Sequence, residues 1–325
     1  MIDEEVIINS GTSLLIDTLE KRWQNYRGEL KRCRKEPSEE AIHDLRVATR
    51  RLLALVDMLR ALVPHPRLGK LRSALKNQLD SLDDLRDTQV MLVEVSETLG
   101  ELPELALFQD YLTKREKRLL RSTAKNIKSF SIASVRKRLD STRKDLLKIE
   151  EQNDQEMELL QIVDEAYGIT VRRYRNIEPA HPETIHRVRV AFKKFRYMIE
   201  LVHPLISNFP DDNFKSMHDY QGLMGDIQDV EVFLSAFNDF ADKDSSYNPE
   251  PIRQYYKQRH REVINTFIED KHQINDFWRP SSEAPFPWEI KSGLKNSKTS
   301  QKSAKPILAQ AKDKKMEPAE VEEDA

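Results

Sequence analysis

Two runs of nine residues, beginning 143 positions apart, carry the same cationic pattern. The first reads His43-Asp44-Leu45-Arg46-Val47-Ala48-Thr49-Arg50-Arg51, and the second His186-Arg187-Val188-Arg189-Val190-Ala191-Phe192-Lys193-Lys194. An acid follows each at the same offset, Asp57 and Glu200. On a helix of about 3.6 residues per turn, positions i, i+3 and i+7 share a face. His43, Arg46 and Arg50 then form one stripe, and His186, Arg189 and Lys193 form another, which Arg196 extends by a turn. Rows of this kind bind oxyanions: Arg bridges two oxygens as a fork, Lys acts as a compact charge, and His adds N–H donors. A single such row is most simply a solvated charged face. The same residue types at the same offsets on two helices point to one anion long enough to touch both.

The stripes need helices to hold them. Long runs lack both Gly and Pro, and only 8 of the 325 residues are Gly, which predicts an all-α protein. Opposite the first stripe lie Leu45, Leu52, Val56 and Leu59, and opposite the second Val188, Phe195, Ile199 and Val202. Both apolar faces must pack on neighbouring helices. Ser10 or Thr12 can cap a first helix to about residue 35, and Ser38-Glu39-Glu40 starts a second that ends before Pro64. A third is expected over 68–99, a fourth from Pro103 to about 128, and a shorter one over 133–149. The second half is expected as helices over 151–176, from Pro182 to about Pro204, from Asp211 to about 240, and from Pro249 to about 278. The third helices also correspond, Asp84-Leu85-Arg86-Asp87 against Asp226-Ile227-Gln228-Asp229, and the fourth do so loosely through Tyr111 with Arg115 and Tyr255 with Arg259. A repeat that recurs helix by helix predicts two pseudo-symmetric four-helix bundles, 8–150 and 151–279. Residues 280–325, rich in Ser, Lys, Pro and Glu, read as a disordered charged tail.

Charge is segregated although the net value is only −2. Residues 114–148 carry 13 bases against three acids, and 172–196 eight against two. Residues 80–104 reverse this, with eight acids and one Arg. Near-neutrality argues against a general nucleic-acid coat, and segregation argues for a local field that draws anions to one place. No apolar run reaches the about 18 residues of a membrane span, and the N-terminus is acidic, unlike a signal peptide. One cysteine, Cys33, fits a cytoplasmic protein; the bases around it are expected to lower its pKa.

These residues resemble a known family. H-D-L-R-V-A-T-R-R and H-R-V-R-V-A-F-K-K-F-R-Y look like the two signatures of the CHAD domain, the conserved histidine α-helical domain. The resemblance covers roughly residues 8–279 and implies a pair of four-helix bundles that bind inorganic polyphosphate in a basic channel between them. Carried over by position, the implied ligands are His43, Arg46, Arg50 and Arg51, then His186, Arg189, Lys193, Lys194 and Arg196, with Arg115 and Arg259 as weaker candidates. Polyphosphate-granule proteins are the protein partners it implies. Two departures stand out: Gly225 precedes the Asp of the third helix in the second half where Asp83 stands in the first, and Arg196 has Leu53 as its counterpart.

Other readings fare less well. His43-Asp44-Leu45-Arg46 superficially resembles a histidine-kinase phosphoacceptor motif, but Val47-Ala48 follows and no Gly-rich ATP-binding region or P-loop exists. The E-x-E-x-K of the triphosphatase domains sometimes fused to this family is missing, and the histidines lack metal-ligand spacing. A non-catalytic binder without cofactor or metal is the expectation. RNA or DNA is the alternative ligand, since phosphate-binding rows grip nucleic acid too. Against it, no aromatic alternates with the bases to stack on unpaired nucleobases.

Overall fold

The computed structural model describes residues 11–150, 155–243 and 248–290. Among them every regular element is helical. The first half holds α1 (Gly11–Lys35), α2 (Glu39–Leu62), α3 (Pro66–Asp80), α4 (Asp83–Thr98), α5 (Ala106–Ser129) and α6 (Ile132–Glu150). The second holds α7 (Glu156–Arg175), α8 (Pro182–Val202), α9 (Asn213–Ala241) and α10 (Glu250–Asp270). No helix of the described residues is long and apolar enough to cross a membrane.

Local chemistry sets the helix ends. Ser38 caps α2 by accepting the Ala41 amide at 3.2 Å, with Glu39 and Glu40 beside the positive end of the dipole. Pro66 opens α3 behind His65, whose ring accepts the Arg67 amide. At α1, Ser10 lies outside the described residues, and Thr12 sits inside the helix with its hydroxyl 3.3 Å from Gln155 Oε1. The run expected as one helix over 68–99 is two. It breaks at Ser81, whose hydroxyl donates to the Gln78 carbonyl at 2.7 Å. The break makes Asp83 the first residue of α4, whereas its counterpart region in α9 is continuous.

Helix pairing recurs between the halves. α1 packs on α2 as α7 packs on α8, α4 on α5 as α9 on α10, and α2 lies against α8. The apolar faces read from the sequence are closed: Leu45, Leu52, Val56 and Leu59, like Val188, Phe195, Ile199 and Val202, have no exposed surface. The apolar clusters nevertheless cross the 150/151 boundary. One joins α1, α2, α3 and α6 to α7, α8 and the start of α9, and the other joins α4 and α5 to the end of α9 and to α10. Each half completes the core of the other.

Two expectations are corrected. Cys33 is buried, and burial pushes its thiol up to about 11 rather than down. The nearby bases are occupied elsewhere, Arg32 with Asp44 at 2.6 Å and Arg34 with the Ile127 and Phe130 carbonyls. The fold also runs past the expected tail boundary. Arg279 pairs with Asp164 at 2.7 Å, and Phe286 stacks on Trp288 at 4.6 Å while meeting Trp278 edge-on at 4.9 Å. Average composition over 280–325 hid this short aromatic stretch. The rest of the expected tail, 291–325, lies outside the described residues. Phe286→Ala removes a ring only 8 % exposed and is expected to cost about 3 kcal/mol. Urea denaturation of the full chain measures it; a loss below about 0.5 kcal/mol means the segment does not seal the core.

Candidate anion-binding site

α2 and α8 exchange equivalent ion pairs. Arg51 on α2 reaches Glu200 on α8 at 3.2 Å, and Lys194, the repeat counterpart of Arg51, reaches Asp57, the counterpart of Glu200, at 4.0 Å. Exchange of matched pairs is what a local twofold relation between two helices produces. Each acid gathers further bases. Glu200 also meets Arg22 at 3.4 Å and Arg196 at 3.5 Å, and Asp57 meets Arg72 at 2.6 Å and Arg60 at 3.5 Å. Arg51, Lys194 and Arg196 are therefore held by acids, and Arg196 is held further by Gln221 at 3.1 Å and by the Tyr197 ring at 4.7 Å.

Between these pairs sits a cluster of cations with far fewer partners. Burial and then the charge of Arg46 lower the Arg50 pKa to about 10. Burial, then Arg50, then Arg189, lower the Lys193 ammonium to about 6, with Arg46 and Arg196 adding to the effect. Among the described residues neither Arg50 nor Lys193 has an ion-pair partner. Arg189 is the third such group. Its Nε is buried without a hydrogen-bond acceptor, and its guanidinium lies over Gly225, 3.7 Å from where a Cβ would stand. An alanine there meets ordinary van der Waals contact, so Gly225 leaves room for this arginine without being indispensable. Like charges brought together in a desolvated place are costly unless an anion joins them.

The departure at Asp83 now has a physical consequence. Arg46, the counterpart of Arg189, is 6 % exposed and bonds Asp83 at the start of α4. The first copy thus neutralises its buried arginine internally, whereas the second offers Gly225 and leaves Arg189 unpaired. Asp87 on α4 has its pKa raised by burial, against the pull of Arg46, and Asp229 on α9 likewise against Arg189. These acids face the bases from the α4–α9 side.

On the other side Arg50, Lys193 and Lys194 open into a cleft of about 390 Å³ between α2, α3, α7 and α8. Arg72 and Arg173 add positive charge there, Leu53, Ile169 and Val190 form apolar wall, and the acid present is Asp57. The two histidines are exposed at the starts of their helices. Partial desolvation, then the charge of Arg86, lowers the His43 pKa, so the ring is less easily protonated than an ordinary histidine. Arg115 and Arg259 are not brought to this cleft. Arg115 faces Asp84 on α4 at 4.0 Å, and Arg259 bonds Glu94 beside a separate cavity of about 290 Å³ whose wall mixes acids with apolar side chains. Phe192, which flanks the second stripe, is core. Arg72 and Arg86 escaped the sequence reading because the repeat marks neither of them, their counterparts being Phe214 and Gln228, and Arg173 showed only as one base of the stretch 172–196.

Comparison with known proteins agrees with this architecture. A family model described as the CHAD domain matches residues 17–238. The crystal structure of the CHAD domain from the plant Ricinus communis is similar at a TM-score of 0.61 and 15% identity, over 82% of this chain and 90% of that one. No curated protein matches the chain.

The cluster's energetics separate two arginines that look alike in sequence. Arg46→Ala strips Asp83 of its partner and leaves a hole, and is expected to destabilise by about 2 kcal/mol. Arg50→Met removes an unpartnered, half-buried charge and is expected to leave stability unchanged or raised. Thermal melts of both variants check this; equal losses would mean Arg50 has an acid partner after all.

Proposed function

The chain belongs to the CHAD domain family, and from that premise we propose that it binds inorganic polyphosphate, with Arg50, Lys193 and Arg189 as the centre of the grip. The observation that carries this reading is the group of half-buried cations without acid partners, drawn from both copies of the motif. A polyphosphate chain supplies closely spaced negative charge and requires no readout of sequence, which suits a cluster of forks and point charges. Lys194, Arg72 and Arg173 extend the positive wall outward along the cleft. Arg51 and Arg196 hold Glu200, and Arg46 holds Asp83, so these three shape the site more than they contact the ligand. His43 and His186 mark the helix starts, where their N–H groups reach a chain that leaves the cleft. We assign the site a holding role with no bond made or broken. Nucleic acid is the competing ligand, and a competition series with polyphosphate, tRNA and heparin at one salt concentration ranks them.

Each stripe covers about 10 Å at about 1.5 Å per residue, so short anions engage only part of the site. Long-chain polyphosphate is expected to bind more tightly than tripolyphosphate, with log affinity falling against log salt more steeply than about −3. Isothermal titration across chain length and salt tests both, and affinity flat from three phosphates upward would sink the two-copy reading.

Binding should also take up a proton. In the free protein the Lys193 pKa lies near 6, and a phosphate oxygen beside it favours the charged form. Because the bound value is the higher one, affinity strengthens as pH falls from the bound pKa toward about 6 and levels below it. Lys193→Met is expected to flatten the dependence between about pH 8 and pH 6 that the wild type shows. An identical profile in the variant would assign the proton to another group.

A further inference from the structure

We propose that the outer face of α5 is a second polyphosphate track, separate from the cleft between α2 and α8. It carries the part of a long chain that the cleft does not hold, and so rests on the polyphosphate reading above. Lys114, Arg118, Arg121, Lys125 and Lys128 are all exposed. Their spacing of four, three, four and three residues sets them on one helix face. The row runs for about 21 Å at about 1.5 Å per residue. Among the described residues none of the five has an ion-pair partner, although Arg115 on the inner face of the same helix faces Asp84. Five like charges in a row without ion pairs repel one another, so the row has no evident role in stability.

The repeat supplies the control. Arg259 on α10 corresponds to Arg115 on α5, which aligns the five bases with Gln258, Glu262, Asn265, Glu269 and His272. Four of these, Gln258, Glu262, Asn265 and Glu269, lie on the exposed side of α10, and none of the five is Lys or Arg. The fold therefore does not require cations on the outer face of this helix, and α5 has them where its twin has acids and amides. Charge complementarity makes the occupant a polyanion. The shape of the row favours a linear, flexible one: it is straight and single-file, with no aromatic among the bases to stack a nucleobase. A thread with charge at short regular intervals meets every cation in any register. Two weak tracks on one long chain also reinforce each other through effective concentration.

The test uses the full chain with Lys114→Gln, Arg121→Gln and Lys125→Gln combined, titrated with polyphosphate of about ten and about a hundred phosphates and with duplex RNA. The triple variant is expected to keep the short-chain affinity, lose at least about tenfold for the long chain, and shallow the long-chain salt slope by about 2. Long-chain affinity and slope equal to the wild type would overturn the track. So would a loss confined to RNA, which would make the row a nucleic-acid face. A wild type that binds neither polyphosphate sinks the cleft reading and the track together, whereas short-chain binding lost in Arg50→Met beside a triple variant that matches the wild type on the long chain overturns the track alone.

Discussion

Cations from two helices, Arg50 on α2 and Lys193 on α8, are held close together away from water, and much of the structure is arranged to tolerate that. Two unit charges about 5 Å apart near a protein surface repel by about 3 kcal/mol. The crossed pairs Arg51–Glu200 and Lys194–Asp57 hold α2 to α8 on either side of the cluster. The apolar faces of both helices supply the larger attraction, because Leu52, Leu59, Phe195 and Ile199 are fully buried beneath the charged side. The cluster is a group of like charges kept together by the packing and ion pairs around it.

The two copies of the motif are alike in sequence and unlike in state. Arg46 is closed off by Asp83, which the break after α3 sets at the head of α4. Arg189 lies over Gly225 in an unbroken α9 with a buried Nε unpaired. One copy thus ties its arginine to an acid at the head of the next helix, and the other leaves it without an ion pair among the described residues. The same divergence appears at Arg196 and Leu53, where one side adds an arginine tied to Gln221 and the other an apolar wall of the cleft.

Periodicity made much of this legible. The helix-by-helix repeat, the charged stripes and the apolar faces follow from residue type and spacing alone, since a helix fixes which side chains share a face. Helix ends were legible where a cap or a proline marks them, as at Ser38 and Pro66. The break at Ser81 was not, because a serine hydroxyl turned back on the Gln78 carbonyl looks like any other helical serine in sequence. The ordered stretch around Phe286 and Trp288 was hidden by averaging over a polar segment.

Residue types and their spacing are enough to give α2 and α8 matching rows of bases over apolar faces, and to give an all-α fold. Which of those bases are free is settled by how the helices pack. That choice depends on acids distant along the chain: Glu200 for Arg51, Asp57 for Lys194, Asp83 for Arg46. It depends also on how far each group is removed from water, which sets the state of Lys193. Spacing within one helix orders charges along a face, but desolvation and long-range pairing arise only when faces meet, and they separate a neutralised arginine from one left without an ion pair.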